Sequence, residues 1–87
     1  MKGRITDVSM GGMAVTFSKA ELLDMKEGDV FLRTHIYLET RNLMGDIKLM
    51  KKSEIRAAFS FEKMSDQFQE VLADYLYFKI SQYMKNK

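Results

Sequence analysis

The sequence predicts a mainly β fold: a small antiparallel split barrel of about five strands with a long C-terminal α-helix. Three observations lead there. Apolar residues recur with a period of two in short runs through residue 61, turn-forming Gly, Asn, Asp and Ser separate those runs, and after Ser65 the apolar spacing changes to three and four. Eighty-seven residues, 46% of them hydrophobic and 11% aromatic, support one core and not two, so residues 1–87 read as a single domain.

The elements follow in order. "GRITDV", residues 3–8, carries β-branched Ile5, Thr6 and Val8 and reads as a strand that stops at Ser9, before two glycines. "MAVTF" alternates Met13, Val15 and Phe17 against Ala14 and Thr16, which predicts a half-buried second strand. "SKAELLDMKEGD" reads as a loop with one helical turn, closed by a tight turn at Glu27-Gly28-Asp29. "VFLRTHIYLE" follows as a long strand, with Val30, Leu32, Thr34, Ile36 and Leu38 on one face and Phe31, Arg33, His35, Tyr37 and Glu39 on the other. "TRNLMGD" is expected to turn the chain, and "IKLMKK" and "EIRAAFSF" to form a hairpin through Lys51-Lys52-Ser53, with Ile55, Ala57, Phe59 and Phe61 on one face. Ser65 suits an N-cap and Asp66 the first turn of a helix running to about Lys85, whose stripe of Phe68, Leu72, Tyr75, Leu76, Ile80 and Tyr83 predicts a core-facing side. At about 1.5 Å per residue such a helix reaches roughly 30 Å, so its far end is expected to project beyond a small barrel. Tyr77, Phe78 and Met84 fall off the stripe and mark a candidate surface for a protein partner or a second copy.

Composition removes several function classes. With no cysteine and one histidine, neither a disulfide framework nor a thiolate metal centre can be built, so no metal or other cofactor is expected. No stretch approaches the roughly 20 apolar residues of a membrane span, and "MKGRITDVSMGG" lacks the apolar core of a signal peptide, which favours a cytoplasmic setting without a membrane span. Phe31, Arg33 and Tyr37 interleave aromatic and basic side chains as a single-strand-binding barrel would, yet a net charge of +2 from 14 basic and 12 acidic residues argues against a nucleic-acid partner. Ser9 has no histidine nearby in sequence and no carboxylates are paired by spacing, so the chain is not expected to be an enzyme.

The stretch "ITDVSMGGMAV", residues 5–15, sets an acid, a hydroxyl and two glycines between two apolar alternating runs. As turn chemistry, Asp and Ser bond nearby backbone and glycine takes positive φ. As a site, Gly11 and Gly12 would let backbone N–H groups approach an anion, Ser9 would donate its hydroxyl, and Asp7 would accept from an N–H edge.

"DVSMGG", with Asp7, Ser9 and Gly12, resembles the D/N-x-S-x-x-G signature of PilZ domains, and the resemblance runs through the "EGD" turn, the following hairpin, the "FSFEKMSD" exit and the C-terminal helix. It covers nearly the whole chain. The resemblance implies a six-stranded antiparallel barrel with a C-terminal helix and a bacterial receptor for cyclic di-GMP, a dianion with two guanine faces, that signals to motility, adhesion or secretion machinery. It also implies a ligand site at Asp7, Ser9, Gly11 and Gly12, with Arg4 pointing toward a phosphate from beside the motif. One part of the pattern is missing. Ligand-binding PilZ domains resemble one another in an R-x-x-x-R motif ahead of the D-x-S-x-x-G strand, but here six residues precede Asp7, and Arg4, Arg33, Arg41 and Arg56 include no such pair. Lysine does not reproduce arginine's planar fork, so Lys2 is a poor substitute. The family's first strand is likewise not matched, which predicts an N-terminally shortened domain: a fragment, or a degenerate PilZ domain that acts in protein interaction or oligomerisation without nucleotide.

Overall fold

The computed structural model describes residues 3–39 and 41–85. Five strands and two helices follow one another as β1 (Arg4–Val8), β2 (Gly12–Thr16), α1 (Lys19–Leu23), β3 (Val30–Leu38), β4 (Arg41–Lys52), β5 (Arg56–Glu62) and α2 (Asp66–Lys85). All neighbours in the sheet are antiparallel, in the order β1-β2-β5-β4-β3. The strands therefore do not lie side by side in sequence order. β5 comes between β2 and β4, and the α1 segment carries the chain from one side of the sheet to the other. The sheet curls into a half-barrel whose two edge strands, β1 and β3, border one cavity.

The core is a single cluster built from alternating positions: Met13 and Val15 of β2, Leu43, Ile47 and Leu49 of β4, Ala57, Phe59 and Phe61 of β5, and Phe68, Leu72 and Tyr75 of α2. Phe59 holds its centre, with Phe17 and Phe31 meeting it edge to face at centroid distances of 6.1 Å each. Leu22 and Met25 close one end, where the Lys52 ammonium donates to the Leu22 and Met25 carbonyls and so satisfies acceptors at the end of α1. Ser18 caps the start of α1 by accepting from the Glu21 N–H.

Three expectations from periodicity are corrected. First, β3 does not keep one face throughout. Phe31 pairs with Ile47 and Thr34 with Gly45, so three residues of β3 span what two span on β4. This bulge sets Arg33 at φ 50°, and the Asp46 carboxylate accepts from its N–H at 3.0 Å. Phe31 consequently faces the core with Ile36 and Leu38, while Leu32 turns outward at 69% exposure. The face expected for Phe31, Arg33 and Tyr37 therefore does not exist, and with it goes the nucleic-acid stripe. Second, residues 41–46 belong to β4 rather than turning, because Arg41–Gly45 pair with Thr34–Leu38 and Asp46 pairs with Glu62 of β5; Thr40, the first residue of the expected turn, lies outside the described residues. Third, Ile55 lies outside β5 and is exposed.

Ser65 does cap α2, its hydroxyl accepting from the Phe68 N–H at 3.1 Å with Asp66 in the first turn. The helix docks through Phe68, whose ring sits 2.8 Å from where a Cβ on Gly45 would be, and meets Phe61 edge to face. Only its first half is buried. Ile80 and Tyr83, expected on the core side, are 60% and 63% exposed, since the sheet ends before they reach it. The Cα radius of gyration is 13.5 Å, against about 12 Å for a compact chain of this length, in keeping with a projecting helix.

Candidate functional site

The site begins as a hairpin. β1 and β2 are joined through Ser9, Met10 and Gly11, and the tip closes where the Ser9 N–H donates to the Gly12 carbonyl at 2.9 Å. The Ser9 hydroxyl accepts from the Gly11 N–H at 3.3 Å and lies 3.4 Å from the Gly12 carbonyl oxygen. Ser9 is therefore engaged in the turn itself. Gly12 is needed by packing: a Cβ there would run into the carbonyl oxygen of Phe59 on the neighbouring strand. Gly11 is different. A Cβ at Gly11 meets nothing, while its carbonyl accepts from the Phe61 N–H at 3.0 Å and extends the β2–β5 ladder past the tip.

Asp7 differs from all three. It follows an irregularity in the β1–β2 register, where Ile5 faces Val15 and Asp7 already faces Ala14, so that Thr6 is the extra residue. Asp7 is exposed, and among the described residues its carboxylate makes no hydrogen bond or ion pair. The turn does not use it. Asp7, Ser9 and Gly12 border a shallow cavity of about 220 Å³ with Ala14, Ala58 and Phe59. No arginine lines it. Arg4, named with these residues from the sequence, sits at the other end of β1 opposite Thr16 and borders the cavity between the sheet edges instead. Arg41 is held by Asp74, and Arg56 pairs in the ladder with Thr16.

That second cavity, about 570 Å³, has no counterpart in the sequence reading. Arg4, Ile5, Val15, Thr34, His35 and Tyr37 are among its lining residues, drawn from strands far apart in sequence. Nothing in local spacing joins them; the curl of the sheet does. His35 and Tyr37 stack along its rim with ring centroids 6.2 Å apart.

The off-stripe residues of α2 divide in two. Tyr77 and Met84 are 73% and 69% exposed, but Phe78 is 38% exposed and lies under the Arg41 guanidinium, 5.1 Å from its ring centroid. Arg41 also binds Asp74 at 3.0 Å, and Lys79 binds Glu39 at 2.6 Å, which ties this side of the helix to the β3–β4 turn. The Glu39 hydrogen bond holds the Lys79 ammonium above its ordinary pKa. No helix among the described residues is long and apolar enough to cross a membrane.

No protein-family model matches the sequence, and no curated protein sequence matches it. The fold does find a match. The chain is similar to the PilZ domain with c-di-GMP of YcgR from Escherichia coli at a TM-score of 0.77, over 97% of this chain and 74% of that one, with 19% sequence identity. The chain has a PilZ-like fold.

Proposed function

We propose that this chain is a bacterial, cytoplasmic signalling module that binds cyclic di-GMP with Asp7, Ser9, Gly11 and Gly12 and relays that state to a protein of motility, adhesion or secretion machinery. It works by binding and not by catalysis. The observation that carries the reading is Asp7: an acceptor near the end of β1 that has no hydrogen bond or ion pair among the described residues, beside an open cavity, in a fold similar to a PilZ domain that has c-di-GMP. A carboxylate so placed suits the paired N–H donors of a guanine edge, and the Gly11 backbone leaves room for a phosphate to approach.

Ligand pockets commonly occupy about 300–1,000 Å³, and about 220 Å³ makes this one wall of a site. The wall is acidic and hydroxylic, so the dianion's phosphates call for arginines from another segment of polypeptide, with Arg4 too far along β1 to share the cavity. Calorimetry with cyclic di-GMP on this chain, and on any longer natural polypeptide that contains it, tests the reading. Heat is expected from the longest natural form. Silence from both at roughly 100 μM protein rejects any affinity tighter than about 10 μM.

A second reading has its own observation. The sheet leaves β1 and β3 at its edges, and the outer half of α2 exposes Tyr77, Ile80 and Met84. Such surfaces suit a protein-interaction or oligomerisation module that works without nucleotide.

A further inference from the structure

The exposed apolar residues of α2 are ordered. Ala73, Tyr77, Ile80 and Met84 follow one another at intervals of four, three and four, the spacing with which one helix meets another along a coiled-coil seam. All four are exposed, and they lie away from the Phe68, Leu72 and Tyr75 stripe that meets the core. Meanwhile Arg41 and Glu39 tie down the flank of the helix that carries Asp74, Phe78 and Lys79. The seam is thus presented on a projecting and braced helix.

We propose that this seam pairs with its counterpart in a second copy of the chain, forming a two-fold antiparallel helix pair. The inference deepens the interaction reading given above and rests on it. Residue sizes set the direction. In an antiparallel pair centred between Phe78 and Lys79, Ala73 of one copy faces Met84 of the other and Tyr77 faces Ile80, so the smallest side chain meets a long flexible one in each outer layer. A parallel pair would set Ala73 on Ala73, leaving a gap, and would crowd the two half-barrels together at the same end. The antiparallel pair keeps them at opposite ends and opposes the helix dipoles. It is also isologous, closing on itself after two copies.

The area suffices. Tyr77, Ile80 and Met84 are 73%, 60% and 69% exposed, with Tyr83 beside them at 63%. At roughly 100–150 Å² of free surface each they offer on the order of 500 Å² per copy. Two copies together remove on the order of 1,000 Å², where specific interfaces begin.

Sedimentation of the full chain at roughly 100 μM, a concentration that populates any dimer tighter than about 10 μM, reads the outcome directly. The wild type is expected at twice the monomer mass. Ile80→Glu is expected at the monomer mass with an unchanged circular dichroism spectrum and a melting midpoint that no longer rises with protein concentration, while Phe78→Ser stays dimeric because Phe78 lies outside the seam. The chain has no cysteine of its own, so engineered thiols report direction: mixing Ala73→Cys with Met84→Cys gives a disulfide-linked dimer, and neither variant alone does. A dimer that survives Ile80→Glu overturns the seam and leaves self-association to the sheet edges. Self-linking of Ala73→Cys overturns the antiparallel arrangement. A monomeric wild type overturns this inference and self-association with it, whereas a missing cyclic di-GMP signal from a dimeric protein bears on the nucleotide reading alone.

Discussion

Within the hairpin signature each residue answers to a different constraint, so substitutions there separate turn from site. Gly12 is held by the Phe59 carbonyl, and Gly12→Ala forces β2 and β5 apart; chemical denaturation is expected to show a loss of about 1–3 kcal/mol. Gly11→Ala meets open space and is expected to change stability by less than about 0.5 kcal/mol, so any change in ligand binding by that variant reports on the ligand's approach. The same spacing that suggested both glycines could not tell them apart. Only the position of β5, a strand more than 40 residues further on, does so. Lys79 offers a pH test at this scale. Its folded pKa is raised above the ordinary 10.5 by the Glu39 hydrogen bond, so its contribution is complete below 10.5 and is lost as pH rises through the higher folded value. The melting midpoint of the wild type is therefore expected to fall more steeply over that window than that of Glu39→Gln, in thermal scans followed by circular dichroism.

Among the elements, the docking of α2 depends on an absent side chain. Gly45 leaves room for Phe68, and Gly45→Ala is expected to cost about 1–3 kcal/mol by pushing the helix off β4, visible as reduced protection of α2 amides in hydrogen exchange. Most elements were legible in the sequence because each is written locally: the Ser65 cap, the alternation in β2, the change from period two to periods three and four. What was not legible comes from pairing. The bulge at Leu32-Arg33 reverses the faces of β3 because Asp46 of β4 takes the freed Arg33 N–H, a partner that no count along β3 can supply. Residues 41–46 looked like a turn, with Asn42, Gly45 and Asp46 among them, and became strand because β3 was there to pair with. The helix stripe was read correctly as far as Leu76. Beyond it the same periodicity continued past the end of the sheet, where Ile80 and Tyr83 find no core to enter.

At the scale of the molecule, a PilZ-like half-barrel brings a hairpin tip, two sheet edges and a projecting helix to separate parts of one small body. The fold was legible from the order of elements around "DVSMGG". Two features of its surface were not: the cavity between β1 and β3 exists only once the sheet curls, and Arg4 borders that cavity instead of joining Asp7. The hairpin is thereby reduced to an acceptor, a hydroxyl and a bare backbone approach, and ligand binding turns on the Asp7 carboxylate, which has no partner among the described residues. The most direct measurement titrates cyclic di-GMP calorimetrically into the longest natural form of the protein, wild type and Asp7→Ala, with melting curves of both. Asp7→Ala is expected to melt within about 0.5 kcal/mol of the wild type, since nothing in the described structure leans on that carboxylate, and to bind at least tenfold more weakly, a difference of about 1.4 kcal/mol. Equal affinities, or no heat from the wild type at roughly 100 μM, would contradict the account.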